Sequence, residues 1–442
     1  MLRKSLMLWL TAFLGHAAGQ GQADLAKLLD RLDRMEAENR KLQDEIHSLR
    51  SEIATLAAGA ATSQDAAARS DVQENRISEL AQSKVESSQR MPIALTGMLL
   101  FNAFHNGRQS GTSEYPVVAS NATGPAVVGA TFRQSVIGLT FNGPDLPGGG
   151  KASGSVYMDF FPGGIYAGDN SFRLRVATLD LAWRDTTITV GQDKPIIAPR
   201  EPVSLAQVGV SPLTGAGNLW DWQPQARIQQ RVAFNETAGM LVQAGVYQTS
   251  EDDISTPAGV PRNIEHVRPG YESRFEFFAG SDNRRIEIAP GFHYSTTHLN
   301  GNSIPSRVAS LDWRIKPSSL FEFTGAAFTG QNLANLGALR QGVTVLPSGA
   351  IIPVHSQGGW GQFTYFSTPR LTFHLFTGIE ADRASDLQTG GISRNLAFGG
   401  NLMYRLAPNI IAAIEGSHTI TSYVNQGTRT NNHYDLAIAY QF

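Results

Sequence analysis

The feature that most constrains this chain is the two-residue alternation of apolar and polar side chains that sets in after Pro92 and runs to the last residue. Successive side chains of a strand point to opposite faces, so such alternation gives each strand one apolar and one polar face. In residues 431–442, Tyr434, Leu436, Ile438, Tyr440 and Phe442 share one face, and His433, Asp435, Ala437, Ala439 and Gln441 share the other. A single strand of this kind fits a soluble sheet equally well, but the connections discriminate. The pattern predicts sixteen strands, near 93–105, 130–141, 151–161, 171–184, 186–192, 225–236, 238–249, 271–280, 284–297, 305–316, 318–329, 357–368, 370–382, 393–406, 408–422 and 431–442. Short connections at Asp185, Asn235-Glu236-Thr237, Ser281-Asp282-Asn283, Pro317, Pro369 and Pro408 alternate with longer ones at 106–129, 193–224, 250–270 and 330–356. Tight turns at one end and long loops at the other are the pattern of an antiparallel transmembrane β-barrel, and a soluble sandwich has no reason to segregate its loops.

Composition agrees by exclusion. A chain of 442 residues would otherwise suggest two or three globular domains. No apolar run reaches the roughly 18 to 20 residues of a transmembrane helix. A net charge of −2 leaves no basic surplus to neutralise nucleic-acid phosphates. With no cysteine there is no disulfide framework, zinc–thiolate site or thiol nucleophile, which fits a chain that crosses an oxidising periplasm.

Ahead of the strands lie three further segments. Arg3 and Lys4, the apolar stretch Leu6 to Leu14 and the small residues Ala17-Ala18-Gly19 read as a secretory signal peptide, assigned to residues 1–19. Residues 24–56 carry a heptad repeat with Leu25, Leu32, Asn39, Ile46 and Ile53 at position a and Leu28, Met35, Leu42, Leu49 and Leu56 at d, which predicts an α-helical coiled coil. In a parallel pairing Arg31 faces Glu36 and Glu45 faces Arg50 across the seam, and Asn39 is the polar residue that fixes register. Residues 57–92 lose the seam and read as a linker ended by Met91-Pro92.

The sixteen expected strands over 93–442, the terminal Phe442, and the long third loop after Thr186–Gln192 resemble the trimeric bacterial porins. With signal peptide, coiled coil and barrel in that order, the chain is similar to the DcaP-like porins. The resemblance implies a homotrimer in outer-membrane lipid, with the coiled coil in the periplasm. It also implies a C-terminal phenylalanine read by the barrel-assembly machinery, a third loop folded into the lumen as a constriction, and an association with dicarboxylates.

Alternation also assigns faces. With apolar residues toward lipid, Leu371, Phe373, Leu375 and Ile379 point out and His374 and Glu380 in. Leu396, Phe398, Leu402, Tyr404 and Leu406 point out, and Asn395, Asn401 and Arg405 in. The fourth segment puts Leu174 and Val176 out and Arg173 and Arg175 in, then flips parity so that Leu179, Leu181 and Trp183 face out, which predicts a β-bulge near Ala177-Thr178. The sixth puts Ile228 and Val232 out and Arg227 and Arg231 in. These four arginines flank the long third loop, which offers Asp193, Glu201 and Asp221 with Lys194 and Arg200. Guanidinium groups in a narrow aqueous pore favour anions and pair bidentately with carboxylates. The same charges can instead pair with one another and with Asp159, Asp180, Glu276 and Asp312 to hold loop and wall together.

Catalytic motifs fail on inspection. Gly148-Gly149-Gly150-Lys151 lacks the spacing of a phosphate-binding loop and reads as a turn, and neither G-x-S-x-G nor H-E-x-x-H occurs. No cofactor or metal is expected. The sequence therefore reads as a non-enzymatic passive channel for small hydrophilic solutes, with anions such as dicarboxylates among them. The alternative is a structural anchor tethered to the periplasm or cell wall by its coiled coil.

Overall fold

The computed structural model describes residues 93–161, 171–248, 268–281, 284–299, 302–339 and 341–442, together with Lys41, Asp44, Ser48, Leu49 and Ser51. The chain divides into two units, 1–88 and 89–442. In the first, the five described residues are α-helical and exposed, and the Ser51 hydroxyl donates to the Ser48 carbonyl at 2.9 Å. The expected signal peptide, most of the coiled coil with Asn39, and the linker lie outside the described residues.

The second unit is a barrel of antiparallel strands. In chain order these are β1 (Ile93–Asn106), β2 (Val127–Thr131), β3 (Val136–Leu146), β4 (Gly150–Asp159), β5 (Arg173–Ala182), β6 (Thr186–Asp193), β7 (Gln223–Ala233), β8 (Ala238–Tyr247), β9 (Gly270–Ser281) and β10 (Arg284–Leu299). They continue as β11 (Asn302–Ser318), β12 (Phe321–Gln331), β13 (Val343–Val345), β14 (Ile351–Pro353), β15 (His355–Thr368), β16 (Leu371–Asp382), β17 (Ile392–Ala407), β18 (Ile410–Tyr423) and β19 (Gly427–Gln441). β13 and β14 form a separate small hairpin between β12 and β15. β2 lies opposite Asn102–Asn106 and β3 opposite Ile93–Met98, so both occupy one position beside β1, interrupted where Ser135 N–H donates to the Phe132 carbonyl. The ring therefore has sixteen strand positions, as the alternation predicts.

Closure occurs between β1 and β19, where Met98 to Asn106 pair with Gln441 to His433. One residue further on, Gly97 and Phe442 exchange both backbone hydrogen bonds, at 2.9 and 3.1 Å. Gly97 has φ +156, and a Cβ there would lie 2.3 Å from the Val136 carbonyl oxygen and 3.0 Å from the Phe442 ring. Glycine is thus required where the chain's last residue seals the ring, and sealing removes the unpaired strand edges that neither lipid nor water-free surroundings tolerate.

The outer face is apolar. Leu375, Ile379, Phe398, Tyr404, Leu406, Ile414, Leu436 and Ile438 are exposed on it, a surface matched to hydrocarbon. Near the short-turn end, Phe321 stacks on Phe363 and Tyr365, and Tyr365 on Phe373, as a girdle across β12, β15 and β16. The inner face is polar, with Asn102, His374, Glu380, Asn395, Asn401, Glu415 and Asp435 buried beneath interior loops.

Three details depart from the sequence reading. At the long-loop end β10 and β11 pair as far as Leu299 and Asn302, and β18 and β19 as far as Tyr423 and Gly427, so that strand takes up what longer loops would have used. The bulge in β5 lies earlier than expected. Tyr157 pairs with Val176 and Met158 with Leu174, which leaves Arg175 as the extra residue. Val176 accordingly sits at the inward position of Tyr157 and not beside Leu174 on the outside. The turn expected at Pro317 comes at 319–320, since β11 accommodates the proline through a register shift between Ile315 and Ser318.

Candidate functional site

The connection between β6 and β7, residues 194–222, is the element that shapes the lumen, and it is called the inner loop below. Its prolines at 195, 199, 202 and 212 and its lack of alternation prevent strand pairing. Its backbone polar groups therefore need other partners, and inward side chains of the wall supply them. Val203 N–H donates to Gln362 Oε1 at 2.7 Å, and the Val203 carbonyl accepts from Asn401 Nδ2 at 2.8 Å. The Leu205 carbonyl accepts from Asn102 Nδ2 at 2.9 Å, and Val208 and Gly209 N–H both donate to Gln134 Oε1. The Gly215 carbonyl accepts from Asn395 Nδ2 at 2.9 Å, and Gly217 N–H donates to Glu380 Oε2 at 3.4 Å.

Apolar contacts fasten the same loop. Ile197, Ala198 and Leu219 pack with Val308, Phe328, Leu333 and Leu336. Leu205 packs with Leu100, Ala413, Ala437 and Ala439. Leu213 and Ala216 pack with Trp360, Phe376 and Ala397. Gly378 of β16 makes the last of these contacts possible, since a Cβ there would lie 2.2 Å from the Ala216 carbonyl oxygen. Arg200 adds an ionic clamp: its Nε donates to Asp312 at 2.7 Å, and its Nη2 donates to Glu287 at 2.7 Å and to Glu276 at 3.0 Å. Arg274 joins from β9, bonding Asp312 and Glu276.

Charged side chains remain partly accessible inside the barrel beside β5 to β7. Arg173 bonds the Asp159 carboxylate from Nε at 3.0 Å and from Nη2 at 2.5 Å, and Arg175 bonds it from Nη1 at 3.2 Å. Two guanidinium groups thus share one carboxylate. Both also lie over the Trp222 ring, with Cζ at 4.9 and 4.7 Å from its centre. Arg227 pairs with Asp193 at 2.7 Å, and Lys194 with Glu201 at 2.5 Å. Asp221 accepts from Trp222 N–H at 2.7 Å and from Gln223 Nε2 at 3.4 Å, where the inner loop joins β7. Arg231 stands apart, toward the short-turn end, exposed and stacked on Phe278 at 4.9 Å, and it has no carboxylate partner among the described residues. The structure therefore brings Arg173, Arg175, Arg227, Asp193, Glu201 and Asp221 to one side of the interior and leaves Arg231 below them.

Sequence reasoning missed Trp222 as the platform under two arginines. It also missed Trp360 and Phe376, which point inward to receive the inner loop. An apolar side chain on the otherwise polar face is the signal that could have found these two. The loop between β1 and β2 reaches the interior as well: Glu114 pairs with Arg133 at 2.9 Å, yet burial pushes its carboxyl above the usual carboxylate range by more than Arg133 lowers it.

No protein-family model matches this sequence, and neither does any curated protein. Solved structures do match. The outer membrane channel DcaP of Acinetobacter baumannii is 15% identical, with a TM-score of 0.65 over 79% of this chain and 97% of that one. The anion-selective porin from Comamonas acidovorans is 11% identical, with a TM-score of 0.53 over 79% of this chain and 99% of that one. The barrel has the fold of the outer-membrane porins.

Proposed function

We propose that the chain is an outer-membrane porin, a passive diffusion channel for small hydrophilic solutes that favours small anions, dicarboxylates included. The observation that carries the preference is the local imbalance at Asp159, where two guanidinium groups, those of Arg173 and Arg175, share one carboxylate. A partly hydrated cationic wall lowers the barrier for an anion, and a second carboxylate on the solute can engage a second guanidinium. The shared fold with a porin described as anion-selective supports the same reading. The protein acts as a homotrimer in outer-membrane lipid, with the N-terminal coiled coil in the periplasm and Phe442 presented to the barrel-assembly machinery. It works without cofactor and without catalysis.

One observation favours the alternative of a structural anchor, namely how completely the inner loop is fastened to the wall by three apolar clusters and the Arg200 clamp. Solute flux separates the two readings. Proteoliposomes containing the purified protein admit a small sugar and, faster, a small dicarboxylate if the lumen conducts. An anchor with a plugged lumen admits neither above the rate of empty vesicles.

A further inference from the structure

The outer wall from β7 to β11 carries a groove beside two arginines, and solute passage uses neither. Ile228 of β7 lies opposite Ala244 of β8, Ala244 opposite Ser273 of β9, and Ser273 opposite Phe292 of β10, all on the lipid-facing side. Two small side chains between two large ones leave a hollow. The next outward row, nearer the long-loop end, runs Ala226, Val246, Tyr271 and Tyr294 in register. The two rows line a groove of about 700 Å³. Ile228, Val246, Tyr271 and Phe292 at its edges are exposed, so the groove offers an apolar bed wider than single side chains on a flat wall would give.

Tyr294 joins this groove to a positive patch. Arg307 of β11 stands opposite it in register, with Cζ 5.9 Å from the ring centre. Arg268, just ahead of β9, places its Cζ 5.4 Å from the same ring, and its Nη2 donates to Thr296 Oγ1 at 2.7 Å and to the Tyr294 hydroxyl at 3.3 Å. Both arginines are exposed. Among the described residues neither has a carboxylate partner, and Nε and Nη1 of Arg268 and the whole Arg307 guanidinium have no hydrogen-bond acceptor. A cation on the outer face of a barrel costs least at the membrane interface, and the long-loop end is the extracellular one. Guanidinium forks match phosphate oxygens bidentately, and two of them around one ring concentrate charge where a lipid head group lies. An acyl chain continuing from that head group enters the hollow over Ala244 and Ser273. A neighbouring barrel would cover the hollow equally well, but it would have to bring acids to both arginines.

We propose that Arg268, Arg307 and Tyr294, with the groove beneath them, bind a phosphate-bearing lipid of the outer leaflet. The proposal rests on the barrel's place in the outer membrane and is independent of whether its lumen conducts. The test uses the full chain, purified in detergent and freed of co-purified lipid, and follows its binding of lipid A, a phosphorylated and multiply acylated disaccharide, by native mass spectrometry. The expected result is saturable binding that survives millimolar sodium phosphate and exceeds that of a diacylglycerol, which has chains and no phosphate. Replacing both arginines, Arg268→Gln with Arg307→Gln, is expected to weaken it by about tenfold or more, since charge-assisted bonds to phosphate are lost. Ala244→Trp, which fills the hollow and spares the arginines, is expected to weaken lipid binding with the oligomer unchanged. Absence of saturable lipid A binding, equal binding of the diacylglycerol, or displacement by sodium phosphate would overturn the proposal. So would binding that is unchanged in the double variant, or an Ala244→Trp chain that loses its oligomer and keeps its lipid, the mark of a contact between barrels.

Discussion

Arg200, in the inner loop, and Asp312, on β11, form a hydrogen-bonded ion pair at 2.7 Å in the middle of the barrel, 112 residues apart in sequence. The Asp312 side chain is 1% exposed and that of Arg200 is 18% exposed, so the pair is largely withdrawn from water. Glu276 and Glu287 close on the same guanidinium. One arginine thus answers three carboxylates and adds an ionic clamp to the apolar clusters and hydrogen bonds that hold the loop to the wall.

Removal of that arginine leaves the acids with Arg274, Arg285 and Arg314 as their remaining partners. Breaking a buried pair from one side typically costs about 3–5 kcal/mol, and the remaining arginines place Arg200→Ala near the lower end. The expected outcome is a lower unfolding temperature together with a larger single-channel conductance, as the loop loosens from the wall. Unfolding and conductance both unchanged would show that the apolar clusters alone hold the loop.

The seam between Gly97 and Phe442 gives a second expectation. Gly97→Val places side-chain atoms against the Val136 carbonyl and the Phe442 ring, and deletion of Phe442 removes both closing hydrogen bonds. Each variant is expected to reach the outer membrane poorly and to give little heat-modifiable barrel on a semi-native gel. Normal levels of either would contradict the importance of the seam. Phe442→Tyr, which keeps the ring and the backbone bonds, is expected to assemble normally.

The strand positions and their facing were readable from sequence because alternation of period two is a local property, set by which side of each strand meets lipid. Leu375 and Ile379 outside, with His374 and Glu380 inside, illustrate it. The inner loop was not readable in the same way. Nothing in Val203-Ser204-Leu205 announces that Gln362, Asn401, Glu415 and Asn102 will meet it, since each of those contacts joins residues about a hundred or more positions apart and is set by closure of the whole ring. The bulge at Arg175 falls between these cases. A change of parity in β5 was visible, but its position depends on the pairing with Tyr157 and Met158, which belongs to the neighbouring strand.

Assembly state is a third expectation. Mass measurement in detergent is expected to give three chains per particle, and deletion of residues 24–56 is expected to weaken the trimer while leaving the barrel folded. A monomer or dimer from the intact mature chain would count against the trimer.

A fourth concerns charge. Replacing Arg173, Arg175, Arg227 and Arg231 together by glutamine is expected to lower the anion-to-cation permeability ratio and slow dicarboxylate uptake. At an effective dielectric of about 20, a unit charge about 4 Å from a passing carboxylate contributes roughly 4 kcal/mol before desolvation. Asp159 and Asp193 cancel part of this and salt screens more, yet about 1.4 kcal/mol still amounts to tenfold in occupancy. Arg231 alone, which lies toward the short-turn end over Phe278, is expected to matter less than Arg173 and Arg175.

The most direct measurement is a planar-bilayer recording of the purified wild-type protein under a potassium chloride gradient. The account predicts stepwise increases in current as channels insert, with a reversal potential displaced toward the chloride equilibrium potential. A membrane that stays silent at protein levels that insert fully, or a reversal potential on the potassium side, would contradict it.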